Sequence, residues 1–251
     1  MKQATIRWAV VSAILFLFFL LLTLPARHVW GWLGGGQLAV QDIDGSLWHG
    51  RVAQLSHPAF PVGPLVWQLR PQALLLGRLE YQVFVQSGKG GGELRVGRGL
   101  FADTSVTAAH LTLPAADLAQ RLRVNLVTLA GDFQIDIDEL RLSAGGISAL
   151  QGMLVWRDAQ VVQPSPMALG QLQMQLSLRE GQVVGTLSDQ GNKGGPLELG
   201  GELLIGTDRH YQLNALLKPR ATADAPLREA LGLLGAPDAQ GRYRLQYSGN
   251  M

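Results

Sequence analysis

Five histidines are the first candidates for acid–base or metal chemistry in this 251-residue chain. No two of them are separated by one or three residues, the spacings that place two imidazoles on one ligand face. The chain also lacks the G-x-S-x-G sequence that presents a catalytic serine on a sharp turn. We therefore predict neither a catalytic residue nor a metal site among His28, His49, His57, His110 and His210.

Acidic residues between Asp132 and Glu139 are the second candidate, because clustered carboxylates can bind Ca²⁺. In this segment acidic or polar residues alternate with apolar ones, which is typical of a β-strand with one polar face. The spacing of an EF-hand loop, with its central glycine and terminal glutamate, is absent. We interpret Asp132, Gln134, Asp136 and Asp138 as the polar side of a strand.

The glycine-rich segment 88–93 is the third candidate, because glycine-rich loops can bind phosphate groups. A phosphate loop has the sequence G-x-x-x-x-G-K-[ST] between a strand and a helix. Here Lys89 precedes the glycines, and the alternating residues Leu94-Arg95-Val96 follow them. The pattern predicts a hairpin loop, and we predict no cofactor and no enzymatic activity for this chain.

Charge and cysteine content exclude several classes of protein. Residues 1–26 contain two of the 21 Lys and Arg residues and none of the 19 acidic residues, so the remainder carries 19 of each sign. Nucleic-acid binding requires clustered basic residues, which this balance does not favour. Without any cysteine, the chain has no disulfide, thiolate metal site or cysteine nucleophile.

The uncharged run from Ala9 to Leu24 indicates a membrane-spanning helix when Trp8 is counted as an interfacial anchor. A spanning helix needs about 17–25 mostly apolar residues. Lys2 and Arg7 precede the run, so the positive-inside rule places the N-terminus in the cytoplasm. The alternative is a cleaved signal peptide, but the run is long for one and Leu24 stands where a small residue is required. We predict a cytoplasmic tip and transmembrane anchor over 1–26 and a periplasmic domain over 27–251.

Short alternating segments separated by glycines predict that the exported domain is mainly β and antiparallel. The clearest segment places Leu172, Met174, Leu176 and Leu178 on one side of a strand. Similar strands are predicted over 79–85, 133–137, 197–199, 203–205, 211–213 and 243–247, with turns at Gly181, Gly185, Gly200-Gly201 and Gly206. A weak repeat, in which Gly45, Gly131, Gly152 and Gly201 each open a strand, favours one curved sheet of half-pipe or repeat-like form.

Two short helices are predicted to pack on this sheet. The first covers 114–122, with Pro114 at its start and Leu118 and Leu122 four residues apart. The second covers 224–235, with Asp224 as its cap and Gly235 as its end.

Five segments, in order along the chain, resemble protein N of the bacterial type II secretion system, and so does the N-terminal anchor. The segments are Gly45-Ser46-Leu47-Trp48-His49-Gly50, which resembles a G-x-[LV]-W-x-G motif, then residues 64–71, 74–79, 152–156 and 227–249. The last segment is the most specific of the five. The resemblance extends over nearly the whole chain.

This resemblance implies an accessory inner-membrane subunit of the machine that exports folded proteins across the outer membrane. It implies contacts with other secretion subunits, either the inner-membrane platform or the outer-membrane secretin, and it carries over no catalytic residue. The large side chains of Trp48, Trp67 and Trp156 are suited to a sheet face.

Two functions remain open at this point: a structural scaffold, or a membrane-anchored periplasmic protein that binds or transfers lipid in a β-groove. A scaffold should cover its apolar sheet face with its own side chains. A lipid carrier should leave an open groove of several hundred Å³. We expect residues such as Trp67, Leu172, Met174 and Leu176 to line that groove.

The anchor predicts a definite topology. A reporter that is active only in the periplasm should be active when it is fused after Met251, and the mature protein should begin at or near Met1. N-terminal sequencing of the mature protein provides the check. A mature N-terminus near Arg27 would contradict the anchor and indicate a cleaved signal peptide.

Overall fold

The computed structural model describes residues 25–26, 39–56, 61–87, 90–99, 104–117, 127–143, 145–189, 195–208 and 210–250. The predicted anchor, Ala9 to Leu24, lies outside the described residues. Within them, no helix combines the length and the apolarity that crossing a membrane requires.

The described residues form one antiparallel sheet of fourteen strands. The strands are β1 (Ala39–Gly45), β2 (His49–Ser56), β3 (Pro61–Val62), β4 (Leu65–Leu69), β5 (Arg78–Ser87), β6 (Gly90–Gly99), β7 (Thr104–Pro114), β8 (Thr128–Ser143), β9 (Gly146–Gln163), β10 (Met167–Arg179), β11 (Gln182–Ser188), β12 (Leu197–Ile205), β13 (His210–Pro219) and β14 (Tyr243–Asn250). The two helices are α1 (Pro71–Leu74) and α2 (Ala225–Gly232).

Strand order in the sheet follows the order of the chain. Thirteen strands pair consecutively from β1 to β14, and β3 lies off this path and pairs with β2. Consecutive antiparallel strands need only short connections, which agrees with the turn signals between the alternating segments. The prediction of a mainly β, antiparallel fold is therefore confirmed, and the half-pipe curvature stays a prediction.

The predicted strands are present, but several glycines lie inside strands rather than at turns. Ser87 pairs with Gly90, so β5 and β6 form the predicted hairpin, but residues 90–93 lie within β6 rather than in its loop. By contrast, β12 runs unbroken through Gly200-Gly201, and Gly185 lies within β11. The interpretation that glycines open strands is also wrong, because Gly45 ends β1 while Gly131, Gly152 and Gly201 lie within strands.

Register shifts interrupt β8, β9 and β10 at one level of the sheet. Gly131, Asp158 and Gly170 have positive φ angles of 93°, 49° and 88° at this level. At Gly131 a Cβ atom would lie 2.3 Å from the carbonyl oxygen of Arg157, so this position requires glycine. Beyond the shifts the alternation resumes, and Phe133 pairs with Trp156.

Helix α2 confirms the prediction of a second helix after Asp224, but the helix ends at Gly232 rather than at Gly235. The Asp224 carboxylate accepts a hydrogen bond from the Leu227 backbone N–H at 3.0 Å, as an N-cap residue does. Beyond Gly232, the backbone forms turns whose hydrogen bonds extend to Gly235.

The first helix prediction is only partly testable. Residues 115–117 are helical and Ala115 is fully buried, but β7 extends to Pro114 and residues 118–122 lie outside the described residues. The sequence analysis did not predict α1, a single turn that begins with Pro71 at its first helical position.

A cluster of buried apolar side chains lies under α2. Leu227 and Leu231 are buried against Leu197 of β12, and partly buried residues of β10, β13 and β14 surround them. No described strand forms a second layer over the sheet, because all the described strands belong to this one sheet. Most of the sheet is therefore a single layer in the part of the chain that the structure describes.

Candidate functional site: the apolar face of the sheet

One side of the sheet carries a continuous row of apolar residues and glycines, and we call this side the apolar face. The row crosses every strand of the thirteen-strand path, with each residue paired to the next: Ile43, Val52, Leu65, Val85, Gly92, Leu111, Ile135, Leu154, Met174, Leu187, Gly201, Ala215 and Leu245. At about 4.8 Å between strands, this row is roughly 58 Å long.

Aromatic side chains flank this row on the same face. Phe133 and Trp156 stack with their ring centroids 5.1 Å apart, and the Trp156 indole N–H donates to the Ala130 carbonyl at 3.1 Å. Near the last strand, the rings of Tyr211 and Tyr247 lie 5.9 Å apart. The hydrogen bond between these two hydroxyls raises the pKa of Tyr211. Each aromatic pair thus joins neighbouring strands across the apolar face.

Glycines inside the strands make room for large side chains on this face. A Cβ atom at Gly50 would lie 2.4 Å from the Trp67 ring, and one at Gly185 would lie 2.6 Å from the Met174 sulfur. At Gly249 the same atom would lie 2.7 Å from the Tyr211 hydroxyl. These glycines are part of the face itself, which explains why the prediction of turns at mid-strand glycines failed.

The opposite side, which we call the polar face, carries the charged residues. Apart from the irregular positions Asp138 and Asp158, strand alternation places a single charged residue of the described strands, Arg98, on the apolar face. On the polar face, His110 Nδ1 lies 2.7 Å from Asp136 Oδ1, and Arg179 lies 3.9 Å from Glu202. Charge is thus segregated to one side of the sheet.

The predicted polar positions of β8 are correct as far as Asp136, before the register shift at Asp138. Asp132, Gln134 and Asp136 lie on the polar face, and the Gln134 amide donates to Asp136 at 2.8 Å. Asp138 lies at the shift between Ile137 and Glu139, so Glu139 takes the next polar position. The interpretation of Asp138 as a regular polar position is therefore wrong.

Most residues of the apolar row are half-buried, and Val52 and Ala215 are buried. Leu154, Leu176 and Leu187 are only half-buried, whereas Leu197, under α2, is 3% exposed. At the free end of the sheet, Tyr247 is 61% exposed. Because neighbouring side chains within a single layer bury each other only in part, this face is available to bind an apolar partner.

An open cavity of about 630 Å³ lies on the polar face across β12, β13 and β14. Its lining includes Glu198, Lys218 and Arg244, and a Cβ atom at Gly200 would meet open space there. The residues expected to line an acyl-chain groove, Trp67, Leu172, Met174 and Leu176, are not part of this cavity. The cavity therefore opens mainly on the polar face, although Gly201 and Ala215 of the apolar row also contribute to its lining.

Hydrogen bonds to one carboxylate fix the loop that leads into β14. The backbone N–H groups of Gln240 and Arg242 both donate to Asp238 Oδ1 at 2.9 Å. The backbone hydrogen bond from Arg242 is the main cause that holds the pKa of Asp238 below its usual value. These bonds stabilise the fold above the pKa that Asp238 has in the unfolded chain, and this stabilisation is lost as the pH falls through the lower folded pKa.

The candidate chemical residues remain dispersed. His49, His110 and His210 lie in three different strands, and His28 and His57 lie outside the described residues. Among the residues that the structure describes, no three His, Asp or Glu side chains come together as a metal site. The predicted absence of catalytic and cofactor-binding residues stays a prediction.

The three tryptophans that we expected on a sheet face do not all lie in strands. Trp67 and Trp156 lie on the apolar face, and the Trp67 indole N–H donates to the Ser46 carbonyl at 3.3 Å. Trp48 lies instead in the turn between β1 and β2, where its carbonyl accepts a hydrogen bond from the Leu69 N–H at 2.6 Å. Trp48 is half-buried in this turn, and its position on a sheet face stays a prediction.

Comparisons with known proteins agree on one family. The family model described as type II secretion system, protein N, matches residues 36–246. A type II secretion system protein N from Vibrio cholerae serotype O1 is 31% identical over 222 residues, which cover 85% of each chain. A protein of the same name from Aeromonas hydrophila is 28% identical over 262 aligned residues, which cover both chains fully. No solved structure matches this chain.

Leu227 of α2 is more deeply buried than Leu176 of the apolar face. Their substitution by alanine should therefore lower the free energy of unfolding by different amounts. Leu227→Ala, at a residue 2% exposed beneath α2, should lower the free energy of unfolding by about 2–5 kcal/mol. Leu176→Ala, on the uncovered face, should cost less than about 2 kcal/mol, because no closed cavity forms. Denaturant unfolding of the full chain in detergent, followed by tryptophan fluorescence, measures both.

Two exposed positions serve as controls for this comparison. Leu233→Ala, at a residue 89% exposed, and Gln175→Ala, next to Leu176 on the polar face, should each change stability by no more than about 0.5 kcal/mol. Equal costs at Leu176 and Leu227 would contradict an uncovered face.

Proposed function

The chain belongs to the type II secretion system protein N family, and from this premise we propose that this accessory secretion subunit acts as a structural scaffold at the inner membrane. In this proposal residues 9–24 anchor the chain, and the sheet lies in the periplasm. The sheet contacts other secretion subunits, either the inner-membrane platform or the outer-membrane secretin, and assists the export of folded proteins.

The segregation of the two faces is the observation that supports a binding role. The apolar row crosses the whole strand path on one side, while His110, Asp136, Arg179 and Glu202 lie on the other. The apolar row is half-buried rather than covered, which differs from the expectation for a scaffold that its own side chains cover this face. An apolar surface of this kind, with the charged residues on the reverse side, is typical of a surface that a partner covers in an assembly. We see no arrangement of nucleophile and base among the described residues that would favour chemistry instead.

A secretion assay separates binding from catalysis. Deletion of the gene should leave type II substrates in the periplasm or reduce assembly of the outer-membrane pore. Leu154→Gln should reproduce the defect, because it places an amide in the centre of the apolar row. Met153→Gln is the matched control, since Met153 precedes it on the polar face and is 41% exposed.

The same assay tests for an overlooked active site. Alanine substitutions of the described Asp, Glu, His and Ser residues should leave secretion intact wherever protease resistance shows that the fold is retained. A stable, fully expressed alanine variant at one titratable residue that abolishes secretion would contradict the scaffold.

The uncovered apolar face favours lipid binding as a second candidate function. Leu154, Leu176 and Leu187 are half-buried with no described layer above them, and acyl chains could cover such a surface without specific polar contacts. The proposed anchor would keep the sheet next to a membrane.

Photo-crosslinking in native membranes distinguishes the two candidates. A photoreactive amino acid at Leu176 should yield phospholipid adducts if lipid covers the apolar face, and protein adducts if a secretion subunit does. The matched position is Gln175, which lies on the polar face and is exposed. Lipid adducts of equal yield at both positions would indicate nonspecific labelling and contradict the lipid-binding alternative.

A further inference from the structure

The sheet has two end strands, and they differ in how they are protected against further pairing. Natural edge strands avoid association through bulges, charges, proline or a covering segment. Strand β1 has such features: Asp42 has a positive φ of 54°, Asp44 adds a second carboxylate, and Pro25 pairs with Ser46 directly beyond the strand. The β1 end is therefore a poor template for another strand.

Strand β14 lacks these features. It pairs regularly with β13 over its full eight residues, from Tyr243 opposite Leu217 to Asn250 opposite His210, without a register shift. It contains no proline, and its one charged residue is Arg244. No described strand pairs with its other side. An extended, regular edge of this kind is a template for an added strand.

An added strand would also cover side chains of β14 that are exposed in this structure. Tyr247 is 61% exposed although its ring lies 5.9 Å from the Tyr211 ring on the apolar face. The Tyr211 ring lies over Gly249, so the aromatic cluster extends to the last pairs of the strand. Leu245 ends the apolar row, and no described strand pairs with β14 beyond it.

We propose that β14 pairs antiparallel with β14 of a second copy of this chain, around a two-fold axis at Gln246. In this register Gln246 faces Gln246 of the second copy, and Leu245 faces Tyr247 of the second copy. Arg244 faces Ser248 of the second copy, and Tyr243 faces Gly249 of the second copy, so no like charges are opposed. A two-fold contact of this kind closes on itself and limits assembly to a dimer.

The dimer joins the two apolar faces. Strand alternation places Leu245 and Tyr247 on the same side of β14, so their cross-axis contact continues the apolar row from one copy into the next. The polar faces also remain on one side, with Arg244 next to Ser248 of the second copy. This inference rests on the β14 edge alone and is independent of the proposed role in secretion.

Cysteine cross-linking tests the register directly, because the chain has no cysteine of its own. Residues directly opposite in an antiparallel pair have Cα atoms about 4.5–5.5 Å apart, within the range of a disulfide. In the full chain in detergent, Gln246→Cys should therefore form a disulfide-linked dimer under mild oxidation. Gln212→Cys is the matched control, since Gln212 is exposed on the same face of β13 but is one strand inside the edge.

A second pair of variants tests the position of the axis. Ser248→Cys alone should not cross-link, because the two Ser248 residues are displaced by four positions, about 13 Å along the strand. Adding Arg244→Cys to Ser248→Cys should restore cross-linking through both off-axis pairs. Cross-linking of Ser248→Cys alone would overturn the proposed register.

Charge variants at the axis test whether the partner is a second copy. Gln246→Lys and Gln246→Glu should each be monomeric by light scattering, since each opposes like charges at the axis, and an equal mixture of the two should regain the dimer mass. A monomeric unsubstituted chain without Gln246→Cys cross-linking would overturn the proposal. So would a dimer whose mass neither charge variant changes, because its contact would lie elsewhere.

Discussion

The register between consecutive antiparallel strands decides which side chains share a face of this sheet. Side chains alternate with a period of two, so a slip of one residue in any strand would move its apolar residues to the polar face. The row from Ile43 to Leu245 shows that the register is kept through twelve successive pairings. The register shifts near Ala108, Asp138 and Gly170 each add a residue locally, and the alternation resumes beyond them.

Because the sheet is a single layer, the apolar face both contributes to its stability and is the surface that a partner would contact. In a sandwich a second sheet would cover the apolar residues. Here a buried cluster of Leu197, Leu227 and Leu231 lies beneath α2, and most residues of the apolar row are half-buried. Elsewhere, hydrogen bonding between strands and lateral contacts, such as Phe133 with Trp156, hold the strands together. The exposed remainder is what a scaffold or a lipid carrier would use, and the covering partner would also stabilise the sheet by mass action.

The distribution of charge supports a function that depends on surfaces. Pairs such as His110 with Asp136 are cross-strand contacts on the polar face, and they lie on an open surface rather than in an enclosed site. The ends of the sheet differ as well, since the irregular β1 and the regular β14 offer unequal opportunities for association. A subunit with one apolar face and one unprotected edge has the geometry of a component that is completed by its partners.

The family, the antiparallel class, the alternating strands such as Leu172 to Leu178 and the capped helix at Asp224 could all be predicted from the amino-acid sequence. These features depend on local periodicity and on motifs. The positions of Gly152 and Gly185 within strands could not be predicted, because a sequence does not distinguish a glycine at a turn from a glycine beneath a large cross-strand side chain. The single continuous apolar row was likewise decided only by the tertiary structure. The alternation within each strand shows that the strand has an apolar side. Only the register of the pairings places all those apolar sides on one face of the sheet.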